Sequence, residues 1–205
     1  MTRLYAIVGA VGLAALLGGS AGYIWFSGTG DDKYAQCREG QVAGGAIGGP
    51  FTLVDQTGTT VTDKEVLKKP SLVYFGYTFC PDVCPLDAQR NADAVDILAQ
   101  KGLDVTPVFI TIDPARDTTK AVAEFTSAIS PKMIGLTGSA EQVKAASVAY
   151  KTYYKQQPAS DDSYLMDHSI YTYLMLPDIG FAEFFDRNIS AENLAERVGC
   201  FLNAG

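Results

Sequence analysis

The chain has 205 residues, with 16 Lys and Arg against 23 Asp and Glu and a formal net charge of −7 at pH 7. Without its apolar N-terminal stretch, this length fits one globular domain with a sizeable core. The acidic balance and the scarcity of Lys and Arg clusters argue against nucleic acid, because phosphates favour a basic face. Proteins and a cation are therefore the expected partners.

Residues 4–26 contain no charged side chain and are long enough, at helical rise, to cross a bilayer. The stretch exceeds the apolar core of a signal peptide and ends in Trp25 and Phe26, which suit a membrane interface. An uncleaved membrane anchor is therefore favoured over a cleaved secretion signal. Arg3 precedes the stretch and Asp31 follows it, which predicts a cytoplasmic N-terminus. The expected location of the domain is the periplasmic side of the inner membrane, or the intermembrane space in a mitochondrion.

The sequence divides into an anchor over residues 1–27, a Gly-rich tether over 28–49 and a domain over 50–205. Cys37 lies in the tether and Cys200 near the end of the chain. An exported domain permits a disulfide between them, which would fasten the tether to the last helix. The alternative is two separate thiols, one loose in the tether and one buried in the C-terminal helix.

After Pro50 the pattern is that of an α/β domain. The predicted strands are an N-terminal hairpin, two buried strands and a second hairpin: Phe51–Val54 with Thr60–Thr62, Ser71–Gly76, Val105–Ile112, and Ile170–Leu176 with Phe181–Phe185. The predicted helices are Leu86–Gln100, Thr118–Ile129, Ser139–Tyr150 and Ser190–Leu202. The order strand, helix and strand predicts a parallel crossover.

Two of these helices carry more detailed signals. The first has Ala88, Ala92, Val95 and Ala99 at spacings that place them on one face, which is expected to be buried. The third begins with Ser139, and Gln142 follows at the spacing of a capping box.

Three residues separate Cys80 from Cys84. If the helix begins at this motif, an i, i+4 spacing places both sulfurs on one face at its N-terminus, where thiolates are favoured. The single histidine, His168, lies far downstream. Two thiolates and one imidazole form a soft site suited to copper, and Cu(I) accepts three ligands. Structural zinc normally requires four ligands, and a fourth is absent unless Asp82 or Asp167 reaches the site, so zinc is disfavoured.

Asp82 and Asp167 are candidates for supporting the ligands. Asp167 is expected to orient the ring of His168 as a hydrogen-bond acceptor, although neighbouring side chains in a strand point in opposite directions. The competing interpretation of His168 is a satisfied surface histidine.

The segment Asp113–Thr118 follows a central strand and should lie at the same edge as the cysteine motif. One interpretation is a strand end followed by a turn that Pro114 fixes, with Asp117 capping the next helix. A buried pair between Arg116 and a carboxylate that shapes the cysteine loop, or a direct functional role, are the alternatives.

Three pieces of sequence resemble the Sco/SenC family of thioredoxin-like copper proteins: Phe75–Pro85, Thr111–Thr118 and Asp167–Ser169. The resemblance implies a thioredoxin-like fold, with a central mixed sheet, flanking helices and an added N-terminal hairpin, preceded by one transmembrane helix. It implies a metallochaperone that binds copper, as Cu(I), Cu(II) or both, and assists assembly of the CuA centre of cytochrome c oxidase. The implied partners are the CuA-bearing subunit and another copper chaperone as donor. Cys37 and Cys200 lie outside the family motif.

The alternative function is a thiol-disulfide oxidoreductase or peroxidase that uses Cys80 and Cys84 alone. His168 discriminates between the two, because thiol exchange needs no imidazole there. Oxidoreductases of this fold also typically carry a cis-proline before the strand that faces the cysteines, and Ser169-Ile170 offers none. A thioredoxin-like reductant is expected in either case, because exported dithiols otherwise oxidise.

Overall fold

The computed structural model describes residues 33–38, 46–159 and 163–205. The chain divides into two compact units, residues 1–36 and 37–205, and the second contains the domain described below. The predicted anchor and most of the predicted tether lie outside the described residues, so both stay predictions. Across the described ranges, no helix combines the length and the apolar character that crossing a membrane requires.

A mixed sheet of seven strands forms the centre of the second unit. Its strands are β1 Thr52–Asp55, β2 Thr60–Thr62, β3 Ser71–Gly76, β4 Thr106–Thr111, β5 Ile134–Thr137, β8 Thr172–Leu176 and β9 Gly180–Phe185. Across the sheet, they lie in the order β2-β1-β5-β4-β3-β8-β9. A separate two-stranded sheet pairs β6 (Tyr154–Gln156) with β7 (Met166–His168).

The sheet is parallel at its centre and antiparallel at its edges. Strand β4 pairs in parallel with β3 and with β5, which confirms the predicted crossover. Both predicted hairpins, β1-β2 and β8-β9, are present, and β8 pairs antiparallel with β3. Every residue of β3 is buried, as expected of a central strand covered on both faces. The sequence did not predict β5, β6 and β7, because three or four residues are too few for a periodic signal.

The helices are α1 Asp63–Val66, α2 Val83–Gln100, α3 Thr119–Ile129, α4 Ala140–Ala149 and α5 Ala191–Ala204. Helices α2 and α5 pack together, α3 packs on β5, and α4 packs on β1. The predicted capping box is present at α4, where Ser139 accepts the amide of Gln142 and the Gln142 side chain accepts the amide of Ser139. The buried rings of Tyr74, Phe75 and Phe109 fill the core around the central strands.

Helix α2 differs from its prediction in two ways. It begins at Val83 rather than Leu86, because a proline at position 85 lies in the first turn, where the backbone N–H has no helical partner in any case. Cys80 therefore precedes the helix, and the two sulfurs do not share a helical face. Ala99 is exposed and Leu98 is fully buried, because the buried face follows alternating steps of three and four residues.

Cys37 and Cys200 form a disulfide, with their Cα atoms 5.7 Å apart. Cys37 begins the second unit, and Cys200 lies in α5. Next to it, Arg38 Nε donates to the carbonyl oxygen of Ala182 at 3.2 Å. Cys37 and Arg38 are thus fastened to the last helix and to the β8-β9 hairpin.

Candidate metal centre

Cys80, Cys84 and His168 converge at the carboxyl end of β3. Cys80 lies in the loop that follows the strand, Cys84 in the first turn of α2, and His168 at the end of β7. One ligand atom from each, two sulfurs and a ring nitrogen, lie within 4.8 Å of one another. The Cys84 Sγ and His168 Nε2 atoms are 3.4 Å apart. The spacing of the three atoms suits a single bound ion with soft ligands.

Gly76, the last residue of β3, lets the cysteine motif approach the strand. A Cβ atom at this position would lie 3.2 Å from the Cys84 sulfur and closer still to the rings of Tyr74 and Phe109. The chain then turns, and the amide of Cys80 donates to the carbonyl oxygen of Tyr77 at 3.3 Å. The missing side chain of Gly76 therefore provides the space in which Cys84 is buried.

The two cysteines are electrostatically unequal. The backbone amide of Cys84 donates to the Cys80 sulfur at 3.3 Å. The hydrogen bond from the Cys84 thiol is the largest cause that lowers the pKa of Cys80 far below that of a free thiol, and His168 lowers it further. The same bond, together with full burial, raises the pKa of Cys84. A bound cation would take both sulfurs as thiolates and so release any proton that they hold.

A buried polar network lies behind Cys84. Tyr74 contacts the Cys84 sulfur and donates its hydroxyl to Asp87 at 3.2 Å. Arg90 forms an ion pair with Asp87 at 3.0 Å and donates to the carbonyl oxygen of Arg187 at 2.8 Å. Burial raises the pKa of Asp87, although the guanidinium opposes this. The sequence analysis did not predict this network. The signal that could have indicated it is Asp87, a charged residue beside the apolar positions of the predicted helix face.

The ring of His168 is fixed by contacts that differ from the prediction. Its Nδ1–H donates to the carbonyl oxygen of Ser169 at 2.8 Å, which leaves Nε2 free to face the sulfurs. Asp167 is exposed and accepts from Gln157 Nε2 at 2.6 Å, so it does not orient the histidine. The reason is the alternation of side chains along β7, which turns Asp167 away from His168. The ring of Tyr77 meets the imidazole edge-on at 5.8 Å between centroids.

Asp82 also differs from its predicted role. It is the exposed N-cap residue of α2, and its side chain makes no capping hydrogen bond. Neither its carboxylate nor that of Asp167 belongs to the group of converging ligand atoms within the described residues. Asp82 contributes to the site only through its backbone amide, which helps to lower the pKa of Cys80.

Asp117 anchors the start of the cysteine loop rather than capping a helix. Its buried carboxylate accepts from the Thr78 amide at 3.0 Å, from the Thr78 hydroxyl at 2.6 Å and from the Thr111 hydroxyl at 2.6 Å. The cap of α3 is Thr118, whose hydroxyl accepts the amide of Ala121. Burial raises the pKa of Asp117 despite these hydrogen bonds. The interpretation of Asp117 as a helix cap is therefore wrong, because the neighbouring Thr118 provides the cap.

A surface cavity of about 530 Å³ is lined in part by His168. Its walls include the exposed rings of Tyr153 and Tyr171 together with Asp186 and Arg187. Phe79, beside Cys80, and Leu86, in the first turn of α2, are also exposed. Large apolar side chains therefore surround the ligands on the surface.

Comparisons with known proteins agree on one family. The family model described as SCO1/SenC matches residues 39–203. Protein SenC of Rhodobacter capsulatus is 58% identical over 174 residues, which are 84% of this chain and 79% of that protein. The mitochondrial SCO1 homolog 1 of Arabidopsis thaliana is 44% identical over 163 residues, 78% of this chain but only 49% of that protein.

A solved structure adds a match in three dimensions. The crystal structure of Arabidopsis thaliana ScoI with copper bound has a TM-score of 0.74 and 42% sequence identity. The match covers 77% of this chain and 99% of the solved one.

Proposed function

Because the chain belongs to the SCO1/SenC family, we propose that it is a copper metallochaperone that supports assembly of the CuA centre of cytochrome c oxidase. Cys80, Cys84 and His168 bind the copper ion. The observation that carries this proposal is the convergence of their two sulfurs and one ring nitrogen within 4.8 Å. A relative of known structure, with 42% sequence identity, holds copper.

The donor set explains both binding and release. Cu(I) prefers thiolates and is satisfied by three ligands, so the site holds the ion without closing a fourth position. An acceptor's ligand can approach at that open position and take over the ion in steps. The imidazole also suits Cu(II), so the site accepts copper in either oxidation state.

The domain is proposed to work at a membrane surface. Residues 1–27 anchor the chain and residues 28–49 tether the domain over 50–205 on the periplasmic side of the inner membrane, or in the intermembrane space of a mitochondrion. Support comes from the uncharged stretch over 4–26 and its flanking charges. The partners are the CuA-bearing oxidase subunit, a copper chaperone as donor and a thioredoxin-like reductant. The exposed apolar side chains around the site support a protein acceptor.

A second function, thiol-disulfide exchange, is favoured by the unequal cysteines. The Cys80 thiolate would attack a disulfide sulfur of the acceptor, forming a mixed disulfide and expelling the first acceptor thiolate. Cys84 would then attack Cys80, releasing the second acceptor thiol and leaving a Cys80–Cys84 disulfide. The reduced acceptor gains the electron pair that the two cysteines lose, and a thioredoxin-like reductant restores them.

Copper binding tests the proposed function directly. Competition with a Cu(I) chelator should show one tightly bound ion per reduced chain. Affinity should fall in His168→Ala and be lost in Cys80→Ala, because one thiolate and one imidazole bind Cu(I) weakly. Ile179→Ala, at an exposed position of the β8-β9 turn, is the control and should bind as the parent does. Unchanged affinity in His168→Ala, or several tightly held ions, contradicts the proposal.

An assay in cells separates the two functions. His168→Ala should abolish formation of the CuA centre, with partial rescue by added copper, while disulfide reduction by the purified variant stays within a few-fold of the parent. Normal oxidase assembly by His168→Ala, together with failure of Cys80→Ser and Cys84→Ser, would instead identify the dithiol as a reductase.

A further inference from the structure

The ligands come from two segments that are far apart in the chain. The cysteine loop, residues 77–82, carries Cys80, and β7 carries His168 at its last position. The two segments are joined by a hydrogen bond of 3.3 Å, which the Met166 amide donates to the Tyr77 hydroxyl. A third segment, between β4 and α3, contacts both of them.

Arg116, on this third segment, contacts aromatic rings on both ligand-bearing segments. Its guanidinium carbon lies 4.8 Å from the ring centroid of Phe79, the neighbour of Cys80, and 3.6 Å from that of Tyr164, which leads into β7. The flat, delocalised cation of arginine stacks well on aromatic faces. The side chain of Arg116 therefore contacts a residue near each of the two ligands, although Arg116 itself lies on neither ligand-bearing segment.

Asp113 holds Arg116 and Tyr164 together through its carboxylate. One oxygen of its carboxylate accepts from Arg116 Nε at 2.6 Å, and the other accepts from the Tyr164 hydroxyl at 2.7 Å. The side chains of Asp113 and Arg116 are 4% and 12% exposed, so solvent weakens their ion pair little. The carboxylate fixes the guanidinium and the tyrosine relative to each other. The expected buried pair of Arg116 with a carboxylate is thus present, and it also holds the segment that leads to the histidine.

We propose that Arg116 is a positioning residue of the metal centre. It holds the cysteine loop and β7 together, so that His168 lies close enough to the two sulfurs to bind the same ion. Without Arg116, Cys80 and Cys84 remain in place, because Asp117 and helix α2 anchor them independently. The segment that leads into β7 loses the stacking of Tyr164 on the guanidinium and keeps only the hydrogen bond from Tyr164 to Asp113. Arg116 thereby governs whether the ion is held by three ligands or by two, which sets how readily it passes to an acceptor. The copper-binding consequence rests on the proposed function.

Arg116→Met tests this proposal, with Arg197→Met as the matched control. Arg197 is also a largely buried arginine that pairs with a carboxylate, Glu183 at 3.4 Å, and lies over a ring, Phe185 at 4.9 Å. It contacts neither ligand-bearing segment through these interactions. Arg116→Met should bind Cu(I) about 10- to 100-fold more weakly than the parent, the usual effect of losing a residue that supports a ligand. Arg197→Met should bind as the parent does.

A double variant distinguishes positioning from a general structural role. If Arg116 acts through the histidine, Arg116→Met combined with His168→Ala binds copper no more weakly than His168→Ala alone, within about two-fold. The Cu(II) form of Arg116→Met should also lose the nitrogen hyperfine coupling of the imidazole in its electron paramagnetic resonance spectrum. Parent-like affinity in Arg116→Met, or effects that multiply in the double variant, overturns the proposal.

Hydrogen exchange in the metal-free protein tests the same contact without copper. The Met166 amide should exchange faster in Arg116→Met than in the parent and at the parent rate in Arg197→Met. If Arg116→Met does not fold, Tyr164→Phe replaces it, because it removes only the hydroxyl bonded to Asp113, and the same acceleration is expected. Unchanged exchange of the Met166 amide overturns the proposal, whether or not the parent protein binds copper. If exchange is faster in the variant but the parent protein binds no copper, the role of Arg116 stands and the proposed function alone is refuted.

Discussion

Replacing Gly76 by alanine should damage both the stability and the metal centre. The new Cβ atom would lie 2.9 Å from Tyr74 Cε1, 3.0 Å from Phe109 Cε2 and 3.2 Å from Cys84 Sγ. All three side chains are at most 1% exposed, so none can move aside into solvent. Overpacking of this kind costs about 1–3 kcal/mol of the free energy of unfolding. For a chain of this length that corresponds to a fall in Tm of roughly 2–12 °C.

Thermal unfolding followed by circular dichroism measures this effect, with Gly199→Ala as the control. Gly199 lies within helix α5, and a Cβ there would meet only methyl groups, at 3.7 and 3.8 Å. Alanine is favoured over glycine in a helix by about 1 kcal/mol, so Gly199→Ala should raise the Tm. The two substitutions are chemically identical and should change stability in opposite directions.

The contact with the Cys84 sulfur gives Gly76→Ala a second expected effect. Displacement of this sulfur should weaken Cu(I) binding in protein that remains folded at the assay temperature, whereas Gly199→Ala should leave the affinity unchanged. A Tm for Gly76→Ala equal to that of the parent would refute the packing described at the end of β3.

Two further predictions concern stability. Replacing Cys37 and Cys200 by serine opens a loop with a sequence separation of 163 residues, which should lower the free energy of unfolding by up to about 5 kcal/mol. Urea unfolding measures this loss in a Cys80→Ala, Cys84→Ala background, and a loss below about 1 kcal/mol would argue that the disulfide does not constrain the unfolded chain. Burial raises the native pKa of Asp117 above the 3.8 of a free aspartate, so the native state binds the proton more tightly than the unfolded state does. The folded protein therefore loses stability as the pH rises from 3.8 through the native pKa. Asp117→Asn should remove this decline from the pH dependence of unfolding, and an identical pH profile in the variant and the parent would contradict it.

The sequence alone determined the features that depend on local patterns. The apolar runs of β3 and β4 and the helix between them predicted the parallel crossover, because hydrophobic periodicity identifies elements of this length. Ser139 and Gln142 identified the start of α4 through their side-chain chemistry. The soft character of two thiols and one imidazole indicated copper without reference to any fold. The family resemblance placed the three ligands together before their geometry was known.

Tertiary structure decided which groups support the ligands. Asp167 is adjacent to His168 in sequence, yet strand alternation turns it away and the Ser169 carbonyl oxygen takes its expected place. Tyr164 and Phe79 meet at Arg116 although all three come from separate segments. Such contacts depend on how strands and loops pack over long sequence separations, whereas sequence patterns report mainly the periodicity of a single element. The ligands could therefore be predicted from their chemistry, but the residues that hold them in place required the packed structure.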